Sequence, residues 1–190
     1  MDSLHRFLIE LDKLKLVERR SVVSDRSRNE NSAEHSWHLA MAVLALKEKF
    51  DLPIDTLHAV KLALVHDVCE IDAGDISIFD ADRDKQAIEE RRCMERIGAM
   101  PEKFAAQVSE LWYEYEEQQT EESRWVRVVD RLLPFMLNIH TDGTTWRELD
   151  VSASQVRGII GFIEQQAPEV HQWMLVQVET AIESGWLKDE

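Results

Sequence analysis

The sequence predicts an all-α chain, and three observations carry that prediction. Apolar residues recur at intervals of three and four along most of the length. No segment alternates apolar with polar residues as a half-buried strand does. Pro53, Gly98, Pro101 and Gly143 fall between the periodic stretches, where helices are expected to stop and start. A chain of 190 residues can bury roughly 70% of the surface its unfolded form exposes. No linker or repeat divides it, so residues 1–190 are expected to form a single domain.

The elements follow in order. Leu4, Phe7, Leu8, Leu11 and Leu14 make a first apolar stripe, opened by Ser3. Residues 18–31, ERRSVVSDRSRNEN, lose that period and are expected as a polar loop. A second helix is expected from about Ser32 to Phe50, with Pro53 in the break after it. Asp55 or Thr56 is placed to cap a third helix, buried, that ends near His66 and Asp67. IDAGDISIFDAD reads as a loop in which Gly74 permits backbone angles other residues resist.

A charged helix over about 82–97 ends at Gly98, and Pro101 opens another to about 118. Thr120 is placed to cap the helix that carries Asp130, where Pro134 predicts a kink or a broken turn. Gly143 ends that helix, a short turn around Trp146 follows, and two helices over about 152–166 and 168–185 close the chain.

Composition restricts function. The formal net charge is −15, which disfavours a nucleic-acid polymer, since phosphate backbones are bound by clustered Lys and Arg. A small nucleotide is not excluded, because one or two arginines and a metal can hold it. No stretch approaches the roughly 18 apolar residues of a membrane span. The N-terminus, MDSLHRFLIELDKL, lacks the basic-then-apolar order of a signal peptide. Two cysteines, Cys69 and Cys93, suggest neither a disulfide framework nor a Cys-based zinc site, and a cytoplasmic location is expected.

Chemistry concentrates in a few residues. His66 and Asp67 are adjacent at the end of LKLALVHDVCE, about 100° apart if helical, so they close on one ion only near the helix end. One borderline nitrogen and one hard oxygen suit Mn, Fe, Co, Ni or Zn better than Ca. His35 and His38 share a helical face in EHSWH. His35 joins the candidate ligands, and His38 is assigned a supporting role. The second nitrogen of a ligating His needs a partner, for which Glu34 or a backbone carbonyl is expected.

Asp130 interrupts the apolar WVRVVDRLLPF. A carboxylate buried there is costly unless it pairs with Arg127 or Arg131, or binds metal. Glu70 and Asp75 lie just beyond Asp67, suited to acid/base work, to a second ion, or to a solvated acidic loop with Asp72. Arg19 and Arg20 could fork onto phosphate oxygens or stand solvated, whereas Arg91 and Arg92 read as a solvent face or salt bridges.

SAEHSWHLA, LALVHDVCEIDAGDI and WVRVVDRL together resemble the H…HD…D signature of HD-domain metal-dependent phosphohydrolases. With LDKLKLVERR and ELWYEYEEQQTEESRWVRVVDRL they are similar to its compact branch, which includes YfbR-type 5′-deoxynucleotidases and HD domain-containing protein 2. The resemblance covers roughly residues 4–140, with C-terminal helices over about 152–186 beyond it.

It implies an HD helical bundle and a divalent transition ion (Mn, Co, Fe, Ni or Zn) on His35, His66, Asp67 and Asp130. It further implies Glu70 and Asp75 as catalytic acids, or, with the Ile76 carbonyl, as ligands of a second ion such as Mg. Substrate contacts are implied for Arg19, Arg20, His35, Asp67, Asp75, Ile76, Ser77 and Asp130, with Arg19 on the phosphate. Two departures stand out: Arg20 replaces a tryptophan, and Ile76-Ser77-Ile78 replaces a Leu-Pro-Thr type segment. The expected activity is hydrolysis of (deoxy)nucleoside 5′-monophosphates by a homodimer. The alternatives are hydrolysis of another small phosphoester such as an alarmone, or a non-catalytic metal-binding regulatory or scaffold role.

Overall fold

In the computed structural model, residues 1–79 and 83–190 are described; Asp80, Ala81 and Asp82, where a loop was expected to pass into a helix, lie outside them. The chain divides into two compact units, one of residues 1–19 and 30–129 and one of residues 20–29 and 130–190.

The first unit begins with α1 (Asp2–Asp12), which a 3-10 turn (Lys13–Leu16) continues. Ser3 lies inside the first turn, not before it, and its hydroxyl donates to Glu102 at 3.3 Å. Next, where a polar loop was expected, stand two short strands, β1 (Glu18–Val22) and β2 (Asn29–Asn31), paired with each other. Neither strand shows apolar alternation, because the hairpin rests on backbone pairing and on polar side chains. A turn between them closes through Val23 N–H to Arg28 O at 3.1 Å, with Arg26 at φ 62°.

Asn31 then starts α2 (Ser32–Phe50). Its side chain accepts from Glu34 N–H at 3.0 Å, while the Glu34 carboxylate accepts from Asn31 N–H at 2.8 Å. This reciprocal cap satisfies two donors that a helix start leaves open.

Asp55 caps α3 (Thr56–Val65), accepting from His58 N–H at 3.0 Å. Leu39 and Val43 of α2 and Ala59, Leu62 and Ala63 of α3 are buried where these helices pack together. A tight turn at 66–69 leads into α4 (Glu70–Ala73), and Gly74 leaves it at φ 74°. α5 (Arg83–Gly98) and α6 (Lys103–Glu117) pack on each other, and a Cβ on Gly98 would come within 2.9 Å of Ser109. Thr120 and Ser123 exchange hydrogen bonds at the start of α7 (Glu121–His140).

α7 passes from the first unit to the second after Val129. It runs unbroken through Pro134, so the expected broken turn does not occur. Asn138 donates to the Pro134 carbonyl at 3.0 Å and accepts from Trp146 N–H at 3.1 Å. The turn around Trp146 is itself a helix, α8 (Thr144–Glu148). The expected 152–166 helix is two, α9 (Ala153–Ile160) and α10 (Ile163–Gln166), parted at Gly161 and Phe162. α11 (Pro168–Glu183) packs on both. Phe135 meets the edges of Trp146 at 5.3 Å and Trp173 at 6.1 Å in the core of this unit.

Candidate metal centre

His66 caps the C-terminal end of α3, and Asp67 is the next residue in the turn to α4. The expected geometry is present: the pair lies at a helix end, with His66 Nε2 3.0 Å from Asp67 Oδ1. On the other side of the ring, His66 Nδ1 lies 2.9 Å from the Ala63 carbonyl oxygen. A carbonyl only accepts, so Nδ1 carries a proton, and Nε2 is the nitrogen that faces the carboxylate. Two electron-rich atoms so close repel unless a proton or a cation sits with them. A divalent cation shared by the two atoms would meet that need.

His35 comes from the first turn of α2 and is fully buried, its ring 5.4 Å from that of His66. Its Nδ1 lies 3.3 Å from Glu30 Oε2. Glu34, the expected partner, is instead held in the cap with Asn31. His38 stacks beside Trp37 at 6.3 Å, half-buried on another side of α2.

The strand period separates the two arginines. Arg19 turns inward while Arg20 is exposed, as successive side chains of a strand alternate faces. Arg19 Nη1 donates to Asp67 Oδ2 at 2.7 Å and lies 3.5 Å from Asp75 Oδ1 and 3.8 Å from Glu70 Oε1. Its Nε lies 3.6 Å from Glu30 Oε2. Thus one guanidinium stands among four largely buried carboxylates. Buried charge of one sign needs compensation, and further positive charge, such as a divalent cation, suits this donor set.

The carboxylates differ. Burial works to raise the Asp67 pKa, but the charges of His66 and Arg19 outweigh it and hold the group at about 2. Burial pushes Glu70 well above the usual carboxylate range; the Asp67 charge adds to this, while Arg19 and the Ser32 hydroxyl offset part of it. Ser32 Oγ donates to Glu70 Oε2 at 2.5 Å. Neighbouring carboxyls pushed apart in proton affinity are the arrangement acid/base chemistry uses. Glu70 is buried in α4, not part of a solvated loop, and Asp72 beside it pairs with Arg96 at 2.7 Å.

Asp75, Ile76 and Ser77 form the half-buried stretch that follows Gly74. Gln86 donates to the Gly74 carbonyl at 2.6 Å, and Ser77 Oγ accepts from Phe79 N–H at 3.3 Å. Cys69 is buried, and burial drives its thiol well above its ordinary value, so it offers no thiolate.

Asp130 is buried in α7 and accepts from Arg131 at 2.7 Å, so the pairing weighed as the alternative to metal binding is present.

A family model described as HD domain matches residues 11–171. Human 5′-deoxynucleotidase HDDC2 is 32% identical over 132 residues, which is 68% of this chain and 63% of that protein. The mouse protein of the same name is 33% identical over 132 residues, 68% of this chain and 65% of the relative. The match therefore spans just under two thirds of the length of these relatives. The crystal structure of a predicted metal-dependent phosphohydrolase from Magnetospirillum magnetotacticum MS-1 superposes with a TM-score of 0.90 at 34% identity. It covers 98% of this chain and 94% of its own.

Proposed function

Because this chain belongs to the HD domain family, we propose that it is a metal-dependent phosphohydrolase that removes phosphate from (deoxy)nucleoside 5′-monophosphates. The observation that carries this reading is the buried His66–Asp67 pair at 3.0 Å with Arg19 on the outer oxygen of the same carboxylate. It joins a cation position to an anion-binding fork. The names of the human, mouse and Magnetospirillum relatives support the substrate class and the metal dependence.

In this reading His35, His66, Asp67 and Asp130 would hold the ion. The Ala63 carbonyl fixes the proton on His66 Nδ1 from behind, and the Glu30 carboxylate stands 3.3 Å behind His35 Nδ1. The chemistry such an ion would supply is Lewis-acid activation of water and of the phosphoryl group. The protein residues do the rest. Arg19 binds the phosphate; a guanidinium carries five donors in a fork, so it can serve Asp67 and a phosphate oxygen together. Glu70 and Asp75 hold and transfer protons as water adds to phosphorus and the P–O5′ bond breaks. The attacking water gives up a proton, the leaving nucleoside oxygen takes one, and inorganic phosphate is released.

The alternative assignment of Glu70, Asp75 and the Ile76 carbonyl to a second ion such as Mg stays within the same chemistry. Ser77 and the Ile76 backbone are proposed to border the substrate. Arg20, exposed on the opposite side of β1, serves as an internal control.

We also take the assembly to be a homodimer and the compartment to be cytoplasmic. Exposed Trp37, Met41 and Leu44 along α2 support the first, and two buried free cysteines support the second. No helix among the described residues is long and apolar enough to cross a membrane.

The test is phosphate release from a panel of nucleoside and deoxynucleoside 5′-monophosphates and other phosphoesters, each with Mn, Co, Ni, Zn and Mg. The proposal expects turnover of 5′-monophosphates that requires a divalent ion. Turnover confined to another phosphoester would move the substrate class, and inactivity on every compound would favour a scaffold.

A further inference from the structure

Glu30 is a buried carboxylate with no place in the HD signature, and only 4% of it is exposed. It is the middle residue of β2, whose exposure pattern runs exposed, buried, half-buried from Asn29 to Asn31. The strand period turns Glu30 inward while Asn31 goes on to cap α2. One oxygen, Oε2, reaches two functional groups: His35 Nδ1 at 3.3 Å and Arg19 Nε at 3.6 Å. These contacts bring together the first turn of α2, strand β1 and strand β2.

We propose that Glu30 is a positioning residue that holds His35 and Arg19 in register with each other, coupling the cation position to the phosphate fork. The inference rests on the phosphohydrolase reading above and deepens it.

A carboxylate behind an imidazole keeps the proton on the nitrogen it faces and raises the basicity of the other nitrogen. For His66 the Ala63 carbonyl does this; for His35 the partner is a full negative charge, which orients more strongly. The capping box already holds Glu34, so that side chain is committed elsewhere. Finally, the same oxygen stands against the Arg19 guanidinium, whose other edge donates to Asp67. A shift of Glu30 would therefore disturb a metal ligand and the phosphate arginine at once. Both contacts are longer than a good hydrogen bond, and we expect them to shorten when an ion draws on His35.

The test uses Glu30→Gln in the full chain, which keeps the size and removes the charge. Co(II) affinity is read by its visible absorption in competition with a chelator, alongside kcat, KM for a 5′-deoxynucleoside monophosphate, and thermal midpoint. The expected result is roughly 10–100-fold weaker metal binding, the usual cost of losing such a partner. We also expect a fall in kcat at saturating metal and a raised KM, because Arg19 loses its second anchor. Metal affinity and kinetics equal to wild type would overturn the proposal, whatever the thermal midpoint does.

Should Glu30→Gln fail to fold, nitrogen-15 spectra of wild-type histidines decide. His35 is expected to carry its proton on Nδ1 with and without metal, and a proton on Nε2 in the metal-free protein would overturn the assignment. A wild type that binds no divalent ion would overturn both this proposal and the reading beneath it. Tight wild-type binding with an unaffected Glu30→Gln would overturn this one alone.

Discussion

Removing the Arg19 guanidinium is expected to damage the fold and the reaction by separate amounts. Its side chain is 11% exposed, and those of Glu30, Asp67, Glu70 and Asp75 are 5–12% exposed. Solvent therefore screens this group little. Breaking a buried ion pair by deleting one partner costs about 3–5 kcal/mol, and here one cation serves four acids. In a chain this long each kcal/mol moves the midpoint by about 2–4 °C. Arg19→Ala in metal-free protein should thus melt roughly 6–20 °C lower. Bound metal should restore part of this, since it supplies positive charge to the same carboxylates.

The kinetic loss is separate. A donor that meets charge as it develops contributes about 2.7–4 kcal/mol, or on the order of 10²–10³ in kcat. Arg19→Lys keeps the charge and loses the planar fork. It should recover most of the midpoint and only part of kcat. Arg20→Ala should leave both near wild type. The assays are calorimetry with and without metal, and kcat and KM on a 5′-deoxynucleoside monophosphate. Arg19→Ala with wild-type kcat in metal-loaded protein would refute the phosphate role. An unchanged midpoint in metal-free protein would refute the charge argument.

Four further outcomes are expected. His66→Ala and Asp67→Ala should each purify with far less metal than wild type, and equal metal content in all three by elemental analysis would contradict the ligand assignment. Glu70→Ala and Asp75→Ala should lose most hydrolysis while retaining the ion on the other residues; turnover at the wild-type rate would return both to a structural role. Gly143 stands at φ 68°, and a Cβ there would come within 2.5 Å of the Trp186 Cβ. Gly143→Ala should cost at least the roughly 1–2 kcal/mol of a left-handed residue, read as a lowered denaturation midpoint with kcat unchanged.

The last outcome concerns pH. Burial tends to raise Glu10, but hydrogen bonds from Lys13 and Arg96 outweigh it; Asp72 is lowered chiefly by its hydrogen bond from Arg96. Depressed carboxylates stabilise above their unfolded values and lose that contribution as pH falls through the folded ones. Arg96→Met should therefore flatten the acid side of the stability profile between the ordinary carboxylate range and lower pH, and an unchanged profile would remove the network.

The long helices were legible because each buries an apolar stripe: Leu39 and Val43 in α2, Ala59, Leu62 and Ala63 in α3, and Val108, Leu111 and Trp112 in α6. The His66–Asp67 pair was legible for the opposite reason, since charged groups ending an apolar run need an explanation. The hairpin was not legible. Its strands, ERRSV and NEN, bury little apolar surface and rely on backbone pairing. With the hairpin went the inward turn of Arg19, the outward turn of Arg20, and Glu30. Glu34 was the more attractive partner for His35 by proximity in sequence, yet its place in the capping box takes it away. Strand period read across RNEN would have been the one available signal. The interruption after Ile160 was also hidden, because Gly161 and Phe162 keep helical backbone angles and the apolar period continues across them.

If one buried His/Asp ion site drives phosphomonoester hydrolysis, activity must follow its occupancy. The most direct measurement is inorganic phosphate released from a 5′-deoxynucleoside monophosphate as Mn or Co is returned stepwise to chelator-stripped protein, with His66→Ala run in parallel. Activity is expected to rise from near zero with the fraction of wild-type sites filled, and His66→Ala is expected to stay inactive at the same free metal. Full activity in stripped protein, or equal recovery by His66→Ala, would contradict this.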